Sequence, residues 1–201
     1  LLDIDALYKN TQLKYLPINP TTPSGVGWHG NALFFKKGRV RHIRQIKLPG
    51  TESRGALIVV LDLPYCGSIC FIAAHFGLLR RDRSAQGKTL LSFIEGIHMP
   101  VILIGDLNEW RMGQRSSLLS MSGFFDVTQH VQPSFPSRFP LFALDRILAY
   151  PPNLIARLYV HQSPLASVSS DHLPIKAEIC INTLRNLRKN KKFFPMCSNR
   201  C

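Results

Sequence analysis

Short apolar runs separated by turn-forming residues predict several β-strands along the chain. Residues 54–63 and 68–74 are two such runs, and the turn-forming segment 64–67 between them predicts an antiparallel hairpin. Residues 101–104 are apolar without interruption, which is typical of a strand buried on both faces. Residues 32–35 and 40–48, joined by a Lys-Lys-Gly turn at 36–38, predict a second hairpin. Further strands are predicted at residues 13–18, 144–149 and 173–181, with a loop rich in proline, threonine and glycine at 19–30.

Helical periodicity is confined to a few segments. In residues 80–97, apolar side chains recur on one helical face and basic side chains on the other, and Pro100 ends the pattern. Residues 1–9 and 114–121 predict shorter helices. Because hairpins and strands outnumber helices and do not alternate with them regularly, the order predicts an α/β (α+β) fold. We expect two mostly antiparallel central sheets packed together and flanked by helices.

The composition is that of one folded domain. Among 201 residues, 45% are hydrophobic and 18% charged, which favours a packed core over disorder. No apolar run approaches the roughly 18 residues of a membrane-spanning helix. We therefore expect a soluble domain and a monomer, with the compartment open and the cytoplasm slightly favoured. The five cysteines lack the C-x-x-C spacing of a zinc site.

Positive charge dominates the chain. It contains 25 Lys and Arg against 12 Asp and Glu, a formal net charge of +13, and a field of that sign attracts nucleic acid or anionic lipid. No acidic residue follows Glu178, whereas basic residues continue to Arg200. We therefore expect a folded domain at residues 1–182 and a basic tail at 183–201.

Candidate chemistry lies where predicted strands begin or end. The sequence Gly-Asp-Leu-Asn at 105–108 follows the buried strand 101–104, so Asp106 and Asn108 could bind a hard cation or a phosphate oxygen. In isolation, the same residues could form an Asx turn. Asp171 and His172 precede another apolar strand and offer a metal ligand beside a proton-transfer group; a simple polar turn is the alternative.

Four further residues can be interpreted only together with the residues around them. Asp145 lies in an apolar strand and needs a partner, either Arg146 or a histidine whose ring it orients. His75 ends the predicted strand 68–74, and such a lone histidine is more often structural. Asn31 and Arg54 stand at strand starts, where each alone would be read as turn chemistry.

The joint order of these motifs is more specific. G-N-A-L, E-S-R-G-A-L, H-F-G-L, I-G-D-L-N-E-W, L-D-R-I and S-D-H-L-P follow one another between Gly30 and Pro174. This series resembles the endonuclease/exonuclease/phosphatase superfamily, which includes deoxyribonucleases, abasic-site endonucleases, sphingomyelinases and inositol-polyphosphate 5-phosphatases. The resemblance covers most of the chain, from Gly30 to Glu178. It implies a four-layered sandwich and hydrolysis of a phosphoester with Mg²⁺ or Mn²⁺.

The resemblance also implies roles for individual residues. Asp106 would orient or activate the attacking water, with Asn108 contacting the phosphate. His172, its ring held by Asp145, would stabilise charge on the phosphate, and His75 would act on the leaving oxygen. The remaining implied roles are support of the phosphate or the cleft wall by Asn31 and Arg54, and metal binding by Asp171.

One part of the family pattern is missing from the sequence. Family members begin with a strand carrying an Asn, a helix, and a strand ending in Gln-Glu, whose Glu is the main metal ligand. No Gln-Glu pair occurs in this chain, so we expect the family's first strand–helix–strand segment to precede Leu1.

Three functions therefore remain open. The first is a metal-dependent phosphodiesterase, with a nuclease as the most favoured kind. The second is a polyanion-binding module without the metal-binding Glu. The third is a phospholipid phosphodiesterase that associates with membranes through the basic arm at 185–194.

Overall fold

The structure is a computed structural model and describes residues 9–16 and 31–189. It contains these strands and helices: β1 (Lys14–Tyr15), β2 (Phe34–Phe35), β3 (Arg39–Leu48), β4 (Arg54–Leu63), β5 (Gly67–Ala74), α1 (Arg80–Ile94), β6 (Val101–Asp106), β7 (Asp145–Tyr150), β8 (Ile155–Val160), α2 (Pro164–Ser169), β9 (Ile175–Ile179) and α3 (Ile181–Lys189). Short 3₁₀ turns occur at Gly113–Arg115, Ser117–Met121 and Pro152–Leu154.

A five-stranded sheet in the order β3-β4-β5-β6-β7 forms the centre of the fold. All neighbouring strands are antiparallel except β5 and β6, which run parallel because α1 carries the chain back between them. The predicted hairpin of β4 and β5 is confirmed, with Leu63 opposite Gly67. The mixed α+β class and the mostly antiparallel central sheet are confirmed as well.

Alternating side chains of the central sheet enter two separate cores. On one face, Ile72 and Leu103 pack with Leu90 and Ile94 of α1. On the other face, Ile102 and Ile147 pack against the small β8-β9 sheet, and Leu57 and Val59 pack near the β1-β2 pair. Strands buried on both faces account for the uninterrupted apolar run at 101–104.

Two predictions of local structure are wrong. The segments 32–35 and 40–48 do not form a hairpin, because β2 pairs with β1 whereas all of β3 pairs with β4. Gly38, at a φ of +122°, redirects the chain between the two sheets without folding it back on itself. The single helix expected at 114–121 consists of two 3₁₀ turns.

The sequence pattern missed β8 and α2. In β8, Ala156, Arg157 and Tyr159 are exposed, which removes the apolar run that marks a strand. The six residues of α2 are too few to show helical periodicity.

Helix α3 lies across the boundary that the charge pattern suggested at residue 183. Leu184 is buried against the second core, so the first residues assigned to a tail contact the domain. The predicted helix at 1–9 and loop at 19–30 lie almost entirely outside the described residues, as do residues 190–201. None of the helices in the described ranges has the length and apolar character needed to cross a membrane.

Glycine is required at position 105, directly before Asp106, because the backbones of β5 and β6 approach closely there. Its φ is +148°, and a Cβ there would lie 1.8 Å from the carbonyl oxygen of Ala74 in the parallel neighbour strand. A glycine at this position therefore lets β5 and β6 remain adjacent up to the point where Asp106 leaves the sheet.

Candidate active site

Four strands bring their polar terminal residues to one edge of the central sheet. Asp106 ends β6 and lies directly opposite Asp145, the first residue of β7. His75 follows β5, which is parallel to β6, so both strands end at the same edge. Arg54 begins β4, the other neighbour of β5. Residues that are far apart in sequence thus converge because of the strand order.

Asp145 and His172 form a hydrogen-bonded pair. His172 Nδ1 donates to Asp145 Oδ2 at 2.7 Å, and the Ser134 hydroxyl donates to the same oxygen. Burial lowers the pKa of His172, but the hydrogen bond and the charge of Asp145, with Asp106 and Asp171 nearby, outweigh burial and raise the pKa. The histidine alternative for the partner of Asp145 is therefore the one observed, and His172 favours the cationic form.

His75 lies beside Asp106 on the other side of the edge. Its Nε2 is 3.4 Å from Asp106 Oδ2, whereas Asp106 Oδ1 accepts a 2.8 Å hydrogen bond from the backbone N–H of Asn108. Burial and the neighbouring Arg54 lower the pKa of His75. At a given pH, His172 therefore holds more of the cationic form than an ordinary histidine, and His75 holds less.

Arg54 contacts the His75 ring and is itself held by Glu52. Nη1 of Arg54 lies 3.0 Å from both ring nitrogens, and a guanidinium can only donate. The arrangement therefore fits a neutral His75 that accepts at Nδ1 and keeps its proton on Nε2, facing Asp106.

Glu52 is a site residue that the sequence analysis did not single out. Its Oε2 accepts hydrogen bonds from Arg54 Nη2 at 2.6 Å and Nε at 3.1 Å, and its Oε1 accepts from the Leu78 backbone N–H at 2.8 Å. These contacts, with the Leu78 hydrogen bond the largest cause, lower the pKa of Glu52. The acid in E-S-R-G-A-L was its only sequence signal. Ser134, the hydroxyl donor to Asp145, carried no motif signal at all.

Asn108 and Asn31 each hold the backbone beside the candidate site with a side-chain hydrogen bond. Asn108 is 4% exposed with a φ of +48°, and its Nδ2 donates a 2.8 Å hydrogen bond to the carbonyl oxygen of Phe76. Asn31 Nδ2 donates a 2.9 Å hydrogen bond to the carbonyl oxygen of Gly55, next to Arg54. Both amide nitrogens are thus used to hold the backbone beside a candidate site residue.

A charged network lies buried behind the loop that follows β6. Glu109 accepts hydrogen bonds from the backbone N–H and hydroxyl of Ser117 and from the backbone N–H of Arg111. Arg83 Nη2 lies 3.6 Å from Glu109, and Arg146 is 5% exposed. Within the described residues, Nε and Nη1 of Arg146 have no hydrogen-bond partner. One carboxylate therefore serves two buried arginines.

The described residues do not by themselves form a divalent-metal site. Asp171 is exposed; its carbonyl oxygen accepts from the Ser137 backbone N–H, and its carboxylate oxygen Oδ1 accepts a 3.4 Å hydrogen bond from the Ser170 hydroxyl. No group of three potential ligands among His, Cys, Asp and Glu is found in the described part of the chain. A carboxylate is a suitable ligand for Mg²⁺, but one acid is not a complete set.

At this edge of the sheet, one carboxylate lies between two groups that can carry positive charge. Asp106 lies between the His75–Arg54 side and His172, whose cation Asp145 stabilises. Cations that flank an acceptor can bind an anionic group such as phosphate while the carboxylate orients a water.

Solved structures share this architecture. An endonuclease/exonuclease/phosphatase family protein from Bacteroides thetaiotaomicron superposes with a TM-score of 0.67 at 16% identity, over 86% of this chain and 77% of that one. A mannosyl-6-phosphatase from the same organism gives 0.67 at 17% identity, over 88% and 80% of the two chains. The chain has the endonuclease/exonuclease/phosphatase fold. The fold implied by the ordered motifs is thereby confirmed.

Other proteins are similar to the chain in structure or in sequence. ANGEL2, a 2′,3′-cyclic phosphatase, carries the endonuclease/exonuclease/phosphatase fold and superposes with a TM-score of 0.57 at 14% identity, over 87% of this chain and 76% of that one. The uncharacterized protein YbhP of Escherichia coli (strain K12) is 32% identical over 168 residues, which are 76% of this chain. The chain spans 63% of the length of YbhP. No protein-family model matches the chain.

Proposed function

We propose that the protein is a phosphoesterase that hydrolyses a phosphodiester with an activated water. The observation that carries this proposal is the position of Asp106 between the His75–Arg54 contact and the Asp145–His172 pair. The mannosyl-6-phosphatase and the 2′,3′-cyclic phosphatase of the same fold support phosphoester hydrolysis as the reaction. The net charge of +13 favours a polyanionic substrate such as nucleic acid, and a nuclease is our preferred form of the proposal.

In this proposal, Asp106 orients the attacking water and accepts its proton. The Asn108 backbone N–H holds one carboxylate oxygen, which leaves the other, next to His75, directed at the site. The buried side chain of Asn108 acts as a positioning group and does not contact the phosphate directly.

The two histidines have different tasks. The His172 cation binds a phosphate oxygen and stabilises the negative charge that grows there in the transition state. Neutral His75 donates a hydrogen bond from Nε2–H to the leaving oxygen and keeps its proton, and solvent protonates the leaving group. Arg54 neutralises charge from the same side, and Asn31 holds the strand start beside Arg54.

A divalent ion, Mg²⁺ or Mn²⁺, remains part of the proposal with Asp171 as one ligand. Such an ion would neutralise phosphate charge. The described residues hold no group of three potential ligands, so in this proposal Asp171 supplies only part of the ion's coordination.

The test is hydrolysis of bis(p-nitrophenyl) phosphate, with Mg²⁺, with Mn²⁺ and with EDTA. We expect metal-stimulated release of nitrophenol that falls by about 100-fold or more in Asp106→Asn and His172→Gln. His98→Gln, at an exposed histidine outside the site, is the matched control and should retain activity. Equal activity in the site variants and the control would refute the site assignment.

One observation favours a second candidate, a polyanion-binding module without catalysis. It is the absence of a complete metal-ligand group from the described residues. This candidate predicts binding to duplex DNA that weakens steeply with salt, and no hydrolysis under any metal condition.

A further inference from the structure

Three neighbouring surface segments beside the candidate site expose large apolar side chains. Met112, Phe139 and Leu141 are 73%, 79% and 71% exposed, and Leu165 and Val168 of α2 are exposed to a similar degree. Together with Trp110, we call these residues the apolar rim. Monomeric proteins rarely expose such groups in one area unless the area binds something.

Direct contacts join the three segments of the apolar rim. The rings of Trp110 and Phe142 lie with their centroids 5.2 Å apart, which connects residues 110–115 to residues 135–142. The Ser137 hydroxyl donates a 3.1 Å hydrogen bond to the carbonyl oxygen of Ser167, which connects 135–142 to α2. The three segments that carry the apolar rim are therefore in direct contact with one another.

The apolar rim begins at the candidate active site. Phe135 stands between the two, with its ring centroid 4.9 Å from that of His172 and 5.7 Å from that of Trp110. Ser134, the residue before it, donates to Asp145. A surface that docks on the apolar rim therefore lies next to the Asp145–His172 pair.

Two of the three segments, 110–115 and 135–142, carry positive charge, and the third, 163–170, is uncharged and is followed by the exposed Asp171. Arg111, Arg115 and Arg138 are exposed, and residues 110–115, 135–142 and 163–170 contain no acidic residue. Arg111 and Arg115 line an open cavity of about 670 Å³ with Met112 and Gln114. Apolar side chains among arginines match the boundary between the headgroups and acyl chains of an anionic bilayer.

We propose that the apolar rim docks the protein on anionic phospholipid membranes, with the candidate active site facing the headgroups. A nucleic acid fits this surface less well, because only Trp110 and Phe139 of its six residues offer an aromatic face on which a base could stack. The docking itself is independent of catalysis. Its extension, that the substrate is a phosphoester in a lipid headgroup, rests on the phosphodiester hydrolysis of the proposed function and takes the place of the nuclease form.

The experiment is co-sedimentation with vesicles of phosphatidylcholine alone, or of phosphatidylcholine mixed with phosphatidylglycerol. The first variant carries Met112→Ser, Phe139→Ser and Leu141→Ser, and its control carries Tyr65→Ser and Ile181→Ser at exposed apolar positions outside the rim. We expect binding to the anionic vesicles to fall by about tenfold or more in the rim variant and to stay unchanged in the control.

A second pair of variants distinguishes the effect of positive charge at the rim from the effect of the protein's total net charge. Arg111→Gln, Arg115→Gln and Arg138→Gln remove three charges at the rim, and Lys36→Gln, Lys37→Gln and Arg39→Gln remove three exposed charges elsewhere. We expect only the first set to abolish the preference for anionic vesicles. Equal losses in both sets, no vesicle binding by the unaltered protein, or a rim variant that loses binding to duplex DNA while it keeps vesicle binding would each overturn the docking proposal.

Hydrolysis of bis(p-nitrophenyl) phosphate, measured on the same variants, distinguishes failure of the docking from failure of the proposed function. Rim variants should cleave this water-soluble ester as the unaltered protein does. Docking without any hydrolysis would refute the proposed function but not the docking proposal. Hydrolysis without docking would refute the docking proposal but not the proposed function.

Discussion

Glu52 holds Arg54 against the candidate site through two hydrogen bonds to a single carboxylate oxygen, at 2.6 and 3.1 Å. The second oxygen of Glu52 accepts the Leu78 backbone N–H, so the same acid also fixes the segment that follows His75. Glu52 is thus a positioning residue that acts on His75 from two directions without contacting it.

Glu52→Gln should weaken the hold on Arg54 while preserving the size of the side chain. We expect kcat/KM for bis(p-nitrophenyl) phosphate to fall by about tenfold, or ~1.4 kcal/mol of transition-state stabilisation. The charge of Glu52 raises the pKa of His75, so the variant should also lower that pKa further, which NMR titration can detect. Glu95→Gln, at an exposed acid beyond α1, is the control, and identical titration of His75 in both variants would contradict the role of Glu52.

Asp145→Asn should lower the pKa of His172, because burial is then opposed only by the charges of Asp106 and Asp171. In the unaltered protein the folded pKa is raised. The stability contributed by the His172 cation is therefore complete below pH 6.5 and is lost as the pH rises through the folded pKa. Activity should decline over the same upper range, and in Asp145→Asn this decline should move to lower pH. Proton NMR of the histidine rings measures the shift, with the exposed His98 as the internal reference.

Removal of the buried acid Glu109 and removal of the buried base Arg146 should have different effects on the stability of the fold. Glu109→Gln should destabilise the fold by about 3 kcal/mol, because two buried arginines lose their shared counter-charge. Arg146→Met should leave stability within ~1 kcal/mol of the unaltered protein or increase it, because Nε and Nη1 have no partner among the described residues. Urea denaturation measures both. Equal losses would mean that Arg146 has a partner outside the described ranges.

Gly105→Ala should destabilise the fold by at least ~2 kcal/mol, because its Cβ would overlap the carbonyl oxygen of Ala74 and also force strain at a positive φ. Gly96→Ala is the matched control: it has a φ of +84° but nothing within 4 Å of the added Cβ, so only the backbone strain of about 1 kcal/mol remains. Thermal unfolding should rank the two variants in this order. The reverse order would show that β5 and β6 can separate at little cost.

The sequence predicted the long elements well because their signals are local. The hairpin of β4 and β5, helix α1 and the buried β6 each carry apolar periodicity over many residues, and all three are observed. The pairing of β2 with β1 could not be predicted in this way, because a two-residue strand has no periodicity and its partner is set by packing.

Within the site, sequence order identified which residues carry chemistry but not how they contact one another. Asp145 had two possible partners in the sequence, and only the structure distinguishes His172 from Arg146. The roles of Glu52 and Ser134 arise from contacts across strand ends, which no spacing along the chain encodes. Burial of Asn108 depends on the left-handed turn after β6, a backbone conformation that the motif alone does not specify.

The convergence of distant strand ends also sets the order in which the site can form during synthesis. A nascent chain that has reached residue 150 already contains every strand of the central sheet, with Asp106, His75 and Arg54 at its edge. His172, the partner of Asp145, is absent until the ribosome has added more than twenty further residues. A chain stalled between these two points therefore contains the acidic pair Asp106 and Asp145 without the histidine that pairs with Asp145.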